Sequence, residues 1–198
     1  MDSIWVLLPS GQRASGEWID DTLRARAAEK GLLARSPRAG EFPRQRVELI
    51  RDDDPVAAVN RLYRERGWTD GLPIVPPTLG RVDAMVARSP LERHVVLGDV
   101  EPLGGVATVE KVAANAVMAG CEPSYFPVVL AAVQAILDPA FNLRGVQTTD
   151  ENVAPLLVVS GPVAARIGVN AGWGALGPGW PANAAIGRAL RLVMHNLG

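Results

Sequence analysis

The residues with the most chemistry lie between Val106 and Pro123, in Val-Ala-Thr-Val-Glu-Lys-Val-Ala-Ala-Asn-Ala-Val-Met-Ala-Gly-Cys-Glu-Pro. Thr108 is a residue type that caps helices, which sets Glu110 and Lys111 in a first turn and Asn115, four residues beyond Lys111, on the same face. Gly120 suits the left-handed position that ends such a helix and Pro123 suits the start of the next, so Cys121 falls in the junction between them. The positive end of the second helix points toward that junction, and a thiol there can be acidified. Cys121, Lys111 and Glu110 are therefore the candidate catalytic residues, with Cys121 as a nucleophile or redox thiol and Lys111 as the charge that favours a thiolate or a developing anion. A solitary cysteine among Met118, Ala119 and Phe126 equally reads as a small buried hydrophobe, and Lys111 as a solvated lysine.

Two further stretches carry groups that recognise ligands. Asn142 to Asn152 contains Gln147, Thr148 and Thr149, neutral donors and acceptors suited to holding a substrate, or to capping and solvating a loop. Asn170-Ala-Gly-Trp-Gly-Ala-Leu-Gly-Pro-Gly-Trp-Pro-Ala-Asn-Ala-Ala-Ile-Gly-Arg188 places Gly172, Gly174 and Gly177 at the spacing of a dinucleotide fingerprint. That fingerprint requires its glycines directly between a strand and a helix, and here a short helical piece at Val163 to Ile167 intervenes and Pro178 breaks the pattern. The stretch reads instead as a glycine-rich loop delivered onto a helix opened by Pro181, whose free amides can hold an anionic group. Asn115, Gln147, Thr148, Thr149, Asn170, Gly177, Gly179, Asn183 and Arg188 form the candidate substrate-binding set. If the set is one site, the Cys121 junction, the 147–149 loop and the 172–183 loop line one cavity faced by Lys111 and Asn115.

Composition narrows the partners. The chain has 198 residues, 48% hydrophobic and 21% charged, with a formal charge of −1. That balance suits a globular protein with a sizeable core, and the lack of a dense basic run argues against nucleic acid. The longest apolar run, Phe126 to Leu137, is interrupted and too short to span a bilayer, and Met-Asp-Ser lacks the pattern of a signal peptide, so a cytoplasmic location is expected. One cysteine and two histidines, His94 and His195, give no metal-ligand spacing, and no cofactor is identified.

The elements that would position these residues read as α/β. Residues 1–53 form an N-terminal appendage or partial α/β unit, with a strand at Ile4 to Leu8, a helix from Ile19 to about Lys30 and a strand at Val47 to Ile50. Residues 54–198 form the main domain. Asp54-Pro55 opens a helix that ends at Gly67, and three prolines make Trp68 to Thr78 an extended, packed segment. Thr78 caps a helix carrying Val82, Met85 and Val86; His94 to Gly98 reads as a strand; helices follow over 108–119, 124–137 and from Pro181 onward. The apolar run Leu156 to Ser160 reads as a buried strand against which those helices pack.

Three long motifs, Gly67-Trp-Thr-Asp-Gly-Leu-Pro-Ile-Val-Pro-Pro-Thr78, Asn115-Ala-Val-Met-Ala-Gly-Cys-Glu-Pro123 and Gly177-Pro-Gly-Trp-Pro-Ala-Asn-Ala-Ala-Ile-Gly-Arg188, resemble a bacterial family whose members accompany, or are fused to, UGSC-type selenoproteins and thiol proteins. The resemblance covers about residues 54–198. It implies further chain beyond Gly198, a functional role for Cys121 and a thiol- or selenol-bearing partner. Two functions follow as expectations: an enzyme or enzyme subunit using Cys121 on a small, possibly anionic substrate, or a non-catalytic binding or assembly subunit, in either case within a homo- or hetero-oligomer.

Overall fold

The computed structural model describes residues 2–7 and 47–198. Strand β1 (Asp2–Leu7) pairs antiparallel with β2 (Val47–Asp52), with Ile4 opposite Ile50. Then come α1 (Pro55–Glu65), α2 (Leu79–Val86), and a second antiparallel ladder of β3 (Val96–Val100) and β4 (Gly105–Thr108), which is irregular between Val96 and Gly98. Helix α3 (Val109–Met118) follows directly, then α4 (Phe126–Ile136), the short α5 (Leu143–Thr148) and α6 (Pro162–Arg166), and the long α7 (Pro181–Leu197). The fold is α/β, with two-stranded antiparallel ladders and packed helices.

Helix α3 is the centre of the core. Thr108 accepts a hydrogen bond from the Lys111 amide at 3.3 Å, and Gly120 takes φ +85 just past the helix end, as the sequence implies. Every residue of α3 except Lys111 is buried, so the helix is covered on all sides by α2, α4 and α7. Its alanines, Ala113, Ala114 and Ala116, let the neighbouring backbones approach closely, while Val109, Val112, Val117 and Met118 supply burial at about 1.5–3 kcal/mol for each large side chain. From α7, Ile186, Leu190, Val193 and Leu197 complete this packing. Gly105 in β4 lies so near the end of α7 that a Cβ there would stand 2.1 Å from the Leu197 carbonyl oxygen, leaving no room for any other residue.

The segment 68–78 is ordered by specific bonds. Asn60 of α1 grips Ile74 through both amide atoms, at 2.7 and 3.2 Å, and the Val75 amide donates to the Met118 carbonyl. Trp68 is buried edge-on against Tyr63, with the Arg66 guanidinium over its ring, while Leu72 is exposed. Arg66 also forks onto Glu48, tying α1 to β2.

Several expected elements differ. Asp54 caps α1 as expected, accepting from Ala57, but Thr78 precedes α2 without a side-chain cap. Gln147 and Thr148 belong to α5, started by Asn142, because that asparagine adopts the left-handed conformation and caps the turn itself. Residues 156–160 join no sheet among the described residues. Leu157 and Val159 pack on the core, and Leu156 and Val158 face outward at 77% and 81% exposure. The apolar run reads as a buried strand, but no strand among the described residues pairs with it. The expected helix from Ile19 lies outside the described residues.

Candidate functional site

The groups around Cys121 are engaged by the core. Its Sγ sits 3.3 Å from the Ala185 carbonyl of α7, to which it donates, and burial pushes the thiol up to about 12. The preceding chain turns back, with the Cys121 amide bonded to the Ala116 carbonyl, and the next element begins as a single 3-10 turn at Pro123–Tyr125 before α4. Desolvation therefore outweighs any help from a helix dipole. A thiol held this way is a poor nucleophile at neutral pH.

Lys111 is half-buried and its Nζ donates to the Val106 carbonyl at 2.9 Å; burial lowers its pKa from the ordinary lysine range. Glu110 is buried against Arg93 at 2.6 Å, and Arg93 also binds Asp83. Burial raises the Glu110 carboxyl above its ordinary range, and Arg93 pulls the other way. Asn115, fully buried, donates to the Lys111 carbonyl and accepts from Asn196 at 2.7 Å, while Asn196 also holds the Trp68 carbonyl. These polar groups fasten α3 to β4, α2 and α7.

The expected substrate-binding residues fall into three separate places. Gln147 reaches the carbonyls of Glu101 and Met194, at 2.6 and 3.2 Å, closing the end of α7 over the β3–β4 turn. Thr148 bonds back to Arg144 within α5, and Thr149 accepts from the Glu151 amide. Arg188 forks onto Asp70 at 2.8 and 2.9 Å and donates to the Pro73 carbonyl, fastening the proline-rich segment to α7. That pairing holds the Asp70 carboxyl below its ordinary range.

The glycine-rich loop is folded on itself. Asn183, in the first turn of α7, donates to the Asn170 and Ala175 carbonyls and accepts from the Asn170 amide, all near 2.9 to 3.0 Å. Asn170 in turn holds Gly172 and the Trp173 carbonyl. Gly177 donates to Gly174, and Gly179 takes φ +101, a turn that only glycine adopts without strain. Trp173 and Leu176 are thereby thrust outward at 99% and 94% exposure, and Trp180 is exposed as well.

Beneath this loop and the 155–159 segment lies a cavity of about 220 Å³. Leu157, Val159, Ile186, Leu190 and Met194 line it, with Asn183 and Arg191 as polar members. Cys121, Lys111, Asn115 and residues 147–149 do not line it. What the sequence reading missed is the outward apolar face itself. Its signal was present in Trp173, Leu176 and Trp180, large apolar residues set among glycines where they have no core to enter.

Among the described residues no three His, Cys, Asp or Glu side chains gather to hold a metal, and no single helix is long and apolar enough to cross a membrane. Comparison with protein-family models, with curated proteins and with solved structures returned no match.

Proposed function

We propose that the chain is a non-catalytic assembly subunit, which contributes a protein-binding face rather than a reactive thiol. The observation that carries this reading is the outward exposure of Leu156, Val158, Trp173 and Leu176, each more than three-quarters exposed, with Leu156 and Leu176 bordering the same cavity. Large apolar side chains gathered at a surface mark protein-binding sites, because their burial is worth about 25 cal/mol per Å². Cys121, Lys111 and Glu110 point the same way, since each is committed to a partner within the core. The thiol- or selenol-bearing partner implied by the sequence resemblance fits an assembly role as well.

Replacing Trp173 and Leu176 by Ser tests the reading. Both side chains project into solvent, so the double variant should keep its denaturation midpoint while its native assembly falls to single chains in sedimentation. An unchanged assembly, or rapid alkylation of Cys121 in the folded protein, would overturn it.

A further inference from the structure

Helix α7 carries two arginines one turn apart, and they differ in what answers them. Arg188 forks onto Asp70, whereas the exposed Arg191 makes no hydrogen bond or ion pair among the described residues. Arg191 lines the cavity beneath the glycine-rich loop. The other polar side chain there, Asn183, has both of its amide atoms engaged by Asn170 and Ala175. The walls of Leu157, Val159, Ile186, Leu190 and Met194 are apolar, and no carboxylate lines the cavity to compete for the guanidinium. The cavity therefore offers a place for an apolar body beside one unanswered cation.

Gly187 points the same way. It lies within α7, where glycine is less favourable than alanine because it loses more backbone freedom on folding. Its neighbours do not require it, since a Cβ there would meet nothing within 4 Å. The open space above it belongs to the cavity, which Gly187 lines. Arg191 stands one turn further along the same face, and side chains on a helix lean back toward its N-terminus. The missing side chain at position 187 thus keeps clear the room beside the Arg191 arm.

We infer that this cavity binds a small monocarboxylate with a compact apolar body, an aromatic or branched-chain acid. Its carboxylate sits on Arg191 and its body lies over Gly187 against Ile186, Leu190 and Met194. The planar fork of an arginine matches a carboxylate through two parallel hydrogen bonds, and a single guanidinium balances one negative charge rather than two. The size agrees: an apolar cavity of about 150 Å³ already takes up benzene, so about 220 Å³ has room for a ring with a short acid arm. The site does not rest on the assembly role, because every group in it belongs to one chain.

Phenylacetate is the probe, titrated into the full chain by calorimetry, with phenylacetamide lacking the charge and acetate lacking the ring. Phenylacetate should bind with a Kd of about 1 mM or tighter, and the other two at least about tenfold more weakly. Arg191→Gln should reduce phenylacetate to the level of phenylacetamide without moving the denaturation midpoint, since Arg191 has no partner to lose among the described residues. Gly187→Leu should keep or raise that midpoint, because leucine favours a helix and the space is open, while filling the cavity and abolishing phenylacetate binding. The proposal is overturned by the absence of saturable phenylacetate binding up to about 10 mM, or by binding that either variant leaves unchanged.

Discussion

Cys121 gives the sharpest quantitative expectation. Its thiol is moved from the ordinary 9.0 to about 12 by burial, and each pKa unit is a factor of ten in the thiolate fraction at neutral pH. Iodoacetamide should therefore label the folded protein about a thousandfold more slowly than the urea-unfolded chain, before any further hindrance from the surrounding core. The same shift is a stability statement. A raised pKa means that the folded state favours the protonated thiol, so its contribution is complete below about pH 9 and is lost as pH rises from 9 toward 12. By pH 10 the loss is on the order of 1 kcal/mol, and it approaches about 4 kcal/mol at the upper end. Tyr63, whose hydroxyl is also shifted upward by burial, adds to the decline in the same direction. Cys121→Ala should remove the thiol's part of this alkaline slope. The assay is the rate of labelling followed by mass, with denaturant melts at several pH values. Native labelling at a rate near that of the unfolded chain would refute the reasoning.

Arg188→Ala should cost about 2 kcal/mol in denaturant unfolding, because it strips Asp70 and the Pro73 carbonyl of a forked donor, and Arg188→Lys should recover less than half of it. Asp70 has a lowered pKa, so its share of stability is present above the ordinary carboxylate range and lost as pH falls below it; the Arg188→Ala acid limb should be flatter. Gly105→Ala should destabilise by about 1–3 kcal/mol or more, since the new Cβ meets the Leu197 carbonyl. Gly80→Ala, in α2 with open space around it, should instead stabilise by about 0.5–1 kcal/mol, read from the same melts. Asn183→Ala should speed amide exchange at Asn170 and raise protease cutting in 170–177 without unfolding the protein.

Local signals carried much of the fold. Asp54 before Pro55, Thr108 before a run of small apolar residues and Gly120 after it each mark a helix end through their own side chain or backbone freedom, and each lies where the sequence places it. The proline-rich segment is ordered for the expected reason in part, with Trp68 buried, but its main fastenings, Asn60 and the Arg188–Asp70 fork, come from residues 14 and 118 positions away. Nothing local announces such pairs. The site was less legible for the same reason. Residue type marked Cys121, Lys111 and Asn183 as reactive or binding groups, whereas their hydrogen-bond partners, Ala185, Val106 and Asn170, are set by packing. The run 156–160 shows both sides: its apolar character is readable, whereas its alternating exposure and the absence of a ladder among the described residues are not.

The central claim, that the 156–160 segment and the loop beside it form a protein-binding face, is tested most directly by amide hydrogen exchange across Leu156 to Ser160 in the native assembly and in the dissociated chain. Assembly should slow these amides by orders of magnitude as a partner covers them, and dissociation should return them to the rate of the uncovered segment. Exchange at that unprotected rate in the intact assembly would contradict the account.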